Sequence, residues 1–143
     1  GVALVGAVLG AKLGTMATVV YVLLGAVGLP IFANFHGGIS ALAGITGGYI
    51  WAWPFMTFLC GIHPKVQNKT ANWAIRIVLA LLGLAIVEVI GGIQWHFVGG
   101  SMSLSAIAIY SLIAFVPKDI VITILALFIA VPVRRAIEYA GAR

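Results

Sequence analysis

The sequence predicts an all-α integral membrane protein, a helical bundle of about five helices forming one domain over residues 1–143. Three observations carry this. Hydrophobic residues make up 63% of the 143 residues and charged residues 8%, where a soluble domain carries about 45–50% and about 25%. The apolar residues come in long runs, broken by glycine, proline or a basic residue. The basic residues gather at the ends of those runs, where lipid-anchoring and topology-setting charges are placed. So few charged side chains do not keep a chain of this composition dispersed in water. An ordinary soluble enzyme, a disordered protein and a disulfide scaffold are excluded, the last because Cys60 is the single cysteine. The net charge of +5 would suggest nucleic acid in a soluble domain. Here its position at run ends points to the lipid bilayer, with no nucleic-acid partner.

The elements follow in order. A span needs about 20 residues, so the chain has room for five or six at most. Residues 1–10 form an apolar half-span, closed by Ala11-Lys12. The expected helix over 11–28 stops at Gly28-Leu29-Pro30. Residues 29–44 are a loop, rich in glycine and aromatics and free of full charge, with Phe32, Asn34 and His36. The third helix is expected over 45–62, closed by Pro64-Lys65, and a hydrophilic linker follows at 63–72. The fourth runs over 73–98 and breaks at Gly99-Gly100-Ser101. Residues 104–115 are apolar but short for a crossing. Pro117 opens a last helix over 117–135, which meets Arg134-Arg135. The first run starts at Gly1 without a leader, and an N-terminal piece is expected to be missing.

The basic residues orient the bundle. With Lys12 in the cytoplasm, Lys65, Lys69, Arg76, Arg134, Arg135 and Arg143 fall on the same side, and Lys118 alone does not. That is the positive-inside pattern, and it requires that 104–115 form a short external or re-entrant helix. The loop 29–44 and the segment 99–119 then share the external side, where a ligand site is expected.

Seven residues in or beside these segments carry polar or aromatic chemistry. Asp119 follows Pro117 at the head of the last helix, where proline suits the first turn and the dipole favours an acid. It is either a helix-start acid paired with Lys118 or a ligand acceptor, since a carboxylate near the membrane is costly and often functional. Lys118 has the same two readings, or simply reaches water. Asn34 both donates and accepts, which matches a urea or lactam; it also suits a turn. Thr46, Tyr49 and Trp53 recur at i, i+3 and i+7, one helix face, either as a pocket wall with a hydroxyl at its rim or as helix packing. Phe32 is among the loop aromatics. Glu88 lies deep in the fourth run, a lone acid that makes a poor proton relay and is expected to be neutral or hydrogen-bonded within the bundle. His36, His63 and His96 lack metal-ligand spacing, and no metal or cofactor is expected. Gly6, Gly10 and Gly14 repeat at four-residue spacing, which lets helices approach closely; internal packing is the expected use.

Taken in order, Leu9-Gly10-Ala11-Lys12-Leu13-Gly14, Tyr21-Val22-Leu23-Leu24-Gly25, Gly28-Leu29-Pro30-Ile31-Phe32-Ala33, Gly37-Gly38-Ile39 and Thr46-Gly47-Gly48-Tyr49 resemble the BioY family. Phe115-Val116-Pro117-Lys118-Asp119 resembles the family's proline and aspartate at the head of its last helix. BioY proteins are the biotin-specific S components of energy-coupling factor (ECF) transporters. The resemblance implies a six-helix bundle in the bacterial plasma membrane that binds biotin from outside. It implies delivery of biotin through a transmembrane coupling protein and two ATPase subunits, with no enzymatic activity in the S component itself. By resemblance, Asn34 and Asp119 hold the ureido ring, and Tyr49 and Phe32 line the pocket. The family's first helix has no counterpart here, and Ile122 stands where the family often has a lysine, with Lys118 before the aspartate instead. Two rival functions are an S component for another vitamin and a stand-alone secondary carrier.

Overall fold

The computed structural model describes residues 1–142, and among them every regular element is helical. Helix α1 runs Val2–Val27, α2 Ile39–Ala43, α3 Gly47–Cys60, α4 Lys69–Gly99, α5 Leu104–Ala114 and α6 Val116–Gly141, with one 3₁₀ turn at Ala33–Phe35. By length and composition three of these, α1, α4 and α6, are apolar enough to cross a membrane, of which α4 and α6 are unbroken.

Helix α1 is two arms. Gly10 adopts φ 85°, ψ 170°, a conformation open in practice only to glycine. A Cβ added at Gly14 would stand 3.0 Å from the Cα of Gly6. Residues eight apart in a continuous helix are about 12 Å apart, so the chain reverses at Gly10 and the arms lie against each other. Gly6 in turn rests on the carbonyl of Thr57, which a Cβ there would approach to 2.3 Å. The small-residue stripe is consumed inside the bundle.

Helix α3 is central. It packs chiefly on α1 and α4, while α6 closes on α1 and α5 bridges α4 and α6. The core joins Ala7 of α1, Ala52 and Met56 of α3, Leu84 and Val87 of α4, and Leu127 of α6. One polar pair sits in it: the Thr18 and Thr57 hydroxyls are 2.9 Å apart, and Thr57 also donates to the Trp53 carbonyl at 2.9 Å. Large apolar side chains such as Val78, Phe97, Ile113 and Phe128 are exposed, as a lipid-facing surface requires.

Several boundaries differ from the sequence reading, each for a local reason. Helix α4 begins at Lys69 rather than 73, because the Asn68 side chain accepts from Thr70 N (3.0 Å) and Ala71 N (3.3 Å). That is an N-cap, and it shortens the expected linker. The loop 29–44 is not wholly irregular, since it holds the 3₁₀ turn and α2. Thr46 is the residue before α3 and is exposed, so the Tyr49–Trp53 face begins without it. Helix α6 passes Arg134-Arg135 to Gly141, with Pro132 inside it and Arg134 paired to Glu138 four residues on at 3.0 Å.

Candidate functional site

Four elements meet at a cavity of about 220 Å³, lined by Tyr49, Trp53 and Met56 of α3, Leu84, Val87 and Glu88 of α4, Asp119, Ile122 and Thr123 of α6, and the first residues of α1. Asp119 arrives there because α5 and α6 are joined through Phe115 alone, with Pro117 in the first turn of α6. The Asp119 amide donates to the Phe115 carbonyl at 2.9 Å, which fixes the carboxyl at the helix head. There the dipole stabilises its anion. Lys118 Nζ lies 3.2 Å from Asp119 Oδ1, with 57% of the lysine side chain exposed against 29% of the aspartate. The ammonium also stands 5.5 Å from the Phe115 ring centroid. So Lys118 screens Asp119 from the water side, and the aspartate keeps its cavity side free.

The opposite wall is aromatic. Phe32 is buried and packs edge-on against Trp53 (6.2 Å between centroids) and Tyr21 (5.9 Å). The Tyr21 hydroxyl donates to the Ile31 carbonyl, tying the loop to α1. Gln94 of α4 donates to the carbonyls of Leu42 (2.8 Å) and Gly44 (2.7 Å), and Trp51 adds a bond to Leu42 at 3.3 Å. The loop is therefore strapped over this end of the bundle from both α1 and α4.

Three shielded oxygens here have no hydrogen-bond partner: Tyr49 Oη and Glu88 Oε2 at this cavity, and Ser111 Oγ of α5 next to it. They face one another around Ser111, and Glu88 also faces Asp119. Glu88 is shared with a second, apolar cavity of about 400 Å³ between α4 and α5, lined by Ile107 and Leu112 as well as Ser111. Buried polar atoms are normally satisfied, and each unsatisfied one calls for an explanation. Together the first cavity offers two carboxyl groups, the Tyr49 and Thr123 hydroxyls and an aromatic wall. That suits a small molecule with N–H donors on an apolar body.

Of the residues singled out in the sequence, the cavity brings together Tyr49, Trp53 and Asp119, with Phe32 directly behind Trp53. Asn34 lies outside it, exposed at φ 58° in the 3₁₀ turn beside Phe35 at φ 57°. Thr46 and Lys118 also lie outside its lining. Glu88, expected to be neutral or hydrogen-bonded within the bundle, lies within reach of the Ser111 hydroxyl and keeps one oxygen, Oε2, without a partner. Sequence reasoning passed over Ser111 and Gln94. The signal was available, since each is a polar side chain inside an otherwise apolar run, as Glu88 is. His96 Nδ1 lies 3.0 Å from the Met102 carbonyl, and among the described residues no group of His, Cys, Asp and Glu clusters as metal ligands.

The BioY family profile matches residues 1–139. A protein of Pyrococcus horikoshii called a probable biotin transporter BioY is 36% identical over 129 residues, covering 90% of this chain and 73% of that one. The biotin transporter BioY of Lactococcus lactis is 31% identical over 138 residues, covering 94% and 72%. Among solved structures, the S component for biotin from an ECF-type ABC transporter superposes with a TM-score of 0.82 at 31% identity, covering 94% of this chain and 72% of that one.

Proposed function

This chain belongs to the BioY family, and on that premise we propose that its cavity binds biotin from the external side as the substrate-binding S component of an ECF transporter. It is a multi-pass protein of the plasma membrane. A transmembrane coupling protein and two ATPase subunits then complete the transporter, and ATP hydrolysis belongs to those subunits. The observation that carries the reading is the convergence of Asp119 with Tyr49 and Trp53, some seventy residues away in sequence, on one cavity.

The chemistry matches biotin group by group. The aromatic face takes the fused ring system. A carboxylate that accepts ureido N–H groups makes charge-assisted hydrogen bonds, stronger than neutral ones. Asn34 completes the ureido contacts if the loop closes over the ligand. Titration calorimetry on the purified protein tests the assignment. Asp119→Asn weakens biotin binding at least about tenfold, in line with roughly 1.5–3 kcal/mol for a hydrogen bond to a charged group; unchanged affinity overturns the role of that residue. A vitamin panel in the same assay separates biotin from other vitamins, and preference for another vitamin overturns the ligand.

A further inference from the structure

The other end of the bundle holds a second cluster that biotin binding does not use. Two adjoining cavities of about 300 and 200 Å³ lie between the start of α4 and the end of α6, and both are lined by Arg76, Val131 and Arg135. The first is also lined by Lys69 and Trp73, the second by His63 and Arg134. The one carboxylate on these walls, Glu138, is already engaged by Arg134 at 3.0 Å. Arg134 also reaches the His63 ring, 2.7 Å from Nε2 and 3.0 Å from Nδ1, and Nε2 stands 3.1 Å from the Ala7 carbonyl. A guanidinium only donates, so the ring accepts from it and carries no charge. The histidine is thus a neutral spacer. Arg76 is different: its guanidinium lies 5.0 Å from the Trp73 ring centroid, and its shielded Nε has no hydrogen-bond partner among the described residues.

We propose that Arg76, Arg135 and Lys69 form a binding site for a phosphate oxyanion, with Trp73 as its apolar floor. A shielded guanidinium donor without an acceptor is costly, and guanidinium groups pair with phosphate in a planar, two-pronged geometry. The site sits where spanning helices end and where the positive-inside pattern puts the cytoplasmic headgroups. Basic pockets between helices on that side suit anionic lipid headgroups. Exposed Val78 and Phe128 lie on the same two helices, and Phe128 stacks on Trp73 at 4.8 Å between centroids, so apolar surface for an acyl chain adjoins the cluster.

Native mass spectrometry of the detergent-solubilised full chain tests this, with phosphatidylglycerol and phosphatidylcholine supplied in equal amounts. Phosphatidylglycerol is retained in preference, and Arg76→Gln and Arg135→Gln each lower that preference about fivefold, as expected for one interfacial cation. Lys12→Gln removes the same charge from an exposed position outside the cavities and leaves the preference intact. Arg135 is exposed, so its variant keeps the test valid should Arg76→Gln fail to fold. A second arm adds inorganic phosphate to lipid-depleted protein and follows the melting temperature. A rise with phosphate, without any lipid preference, supports the same site with free phosphate as its source. Equal retention of both lipids with no phosphate effect overturns the proposal. So does an equal loss of preference in Lys12→Gln, since the attraction is then diffuse charge and not a site.

Discussion

The ring of Tyr49 lies against the bare backbone of Gly91. A Cβ added at Gly91 would stand 2.4 Å from both Cδ1 and Cε1 of that ring, closer than any real contact allows. The position of the Tyr49 hydroxyl at the cavity is therefore set by a residue on α4 with no side chain.

Gly91→Ala pushes the tyrosine into the cavity and weakens biotin binding at least about tenfold, since small misplacements at a site carry large costs. Gly92→Ala is the matched control. Its added methyl would meet Ile107 Cγ2 at 3.6 Å, an ordinary contact, and affinity stays unchanged. Calorimetry on the two variants reads the difference, and equal affinities would detach Tyr49 from the ligand.

Glu88 has an unpartnered, shielded oxygen, with Asp119 and Ser111 as its polar neighbours. Such a group is retained at a cost to the fold and is a candidate for function. Glu88→Leu raises the stability of the ligand-free protein by about 1–3 kcal/mol, the range for removing an unsatisfied polar group. The same change weakens biotin binding. Thermal unfolding with and without biotin measures both, and a stabilised variant of full affinity makes Glu88 a bystander.

Gln94 donates to two loop carbonyls at once. Gln94→Leu leaves the Gly44 carbonyl with the Gly47 amide alone, at 3.0 Å, and Leu42 with only the longer bond from Trp51. Hydrogen exchange rises over residues 39–46, and the biotin dissociation rate increases because the strap over the cavity is loosened. A dissociation rate equal to the parent's would show that the strap does not retain the ligand.

His63 gives the Arg134 end of the bundle a pH dependence. Burial first, then the charges of Arg134 and Arg76, hold its pKa below the ordinary 6.5. The unfolded chain takes up the proton at higher pH than the folded one. The stabilising contribution is therefore complete above about pH 6.5 and is lost as pH falls through the lower folded value. Melting temperature followed from neutral toward acid declines below that point. The decline is shallower in His63→Gln, whose amide both accepts from Arg134 and donates to Ala7 without titrating.

The membrane class and the run boundaries were legible because charge is scarce and each break is a glycine, proline or lysine. The site was legible in part. Asp119, Tyr49 and Trp53 announce themselves as an acid at a helix head and an aromatic pair on one face. Ser111 and Gln94 do not, because their roles depend on which helix stands opposite. Capping by Asn68 was overlooked in favour of the next apolar residue, which moved the start of α4 by four positions. The double use of Glu88, shared between two cavities, depends on α5 packing beside α4, and no pattern along the chain encodes that.

Helix α3 has 14 residues, about 21 Å of helix at 1.5 Å each, against a hydrocarbon core of about 30 Å. Helix α4 beside it has 31 residues. Alone, α3 is therefore short of that thickness, and the segments on either side of it, the loop strapped by Gln94 and Tyr21 among them, carry the chain the rest of the way. Hydrophobic mismatch then falls unevenly on this protein: in a thicker bilayer the short helix, and not its long neighbour, is the one left unmatched.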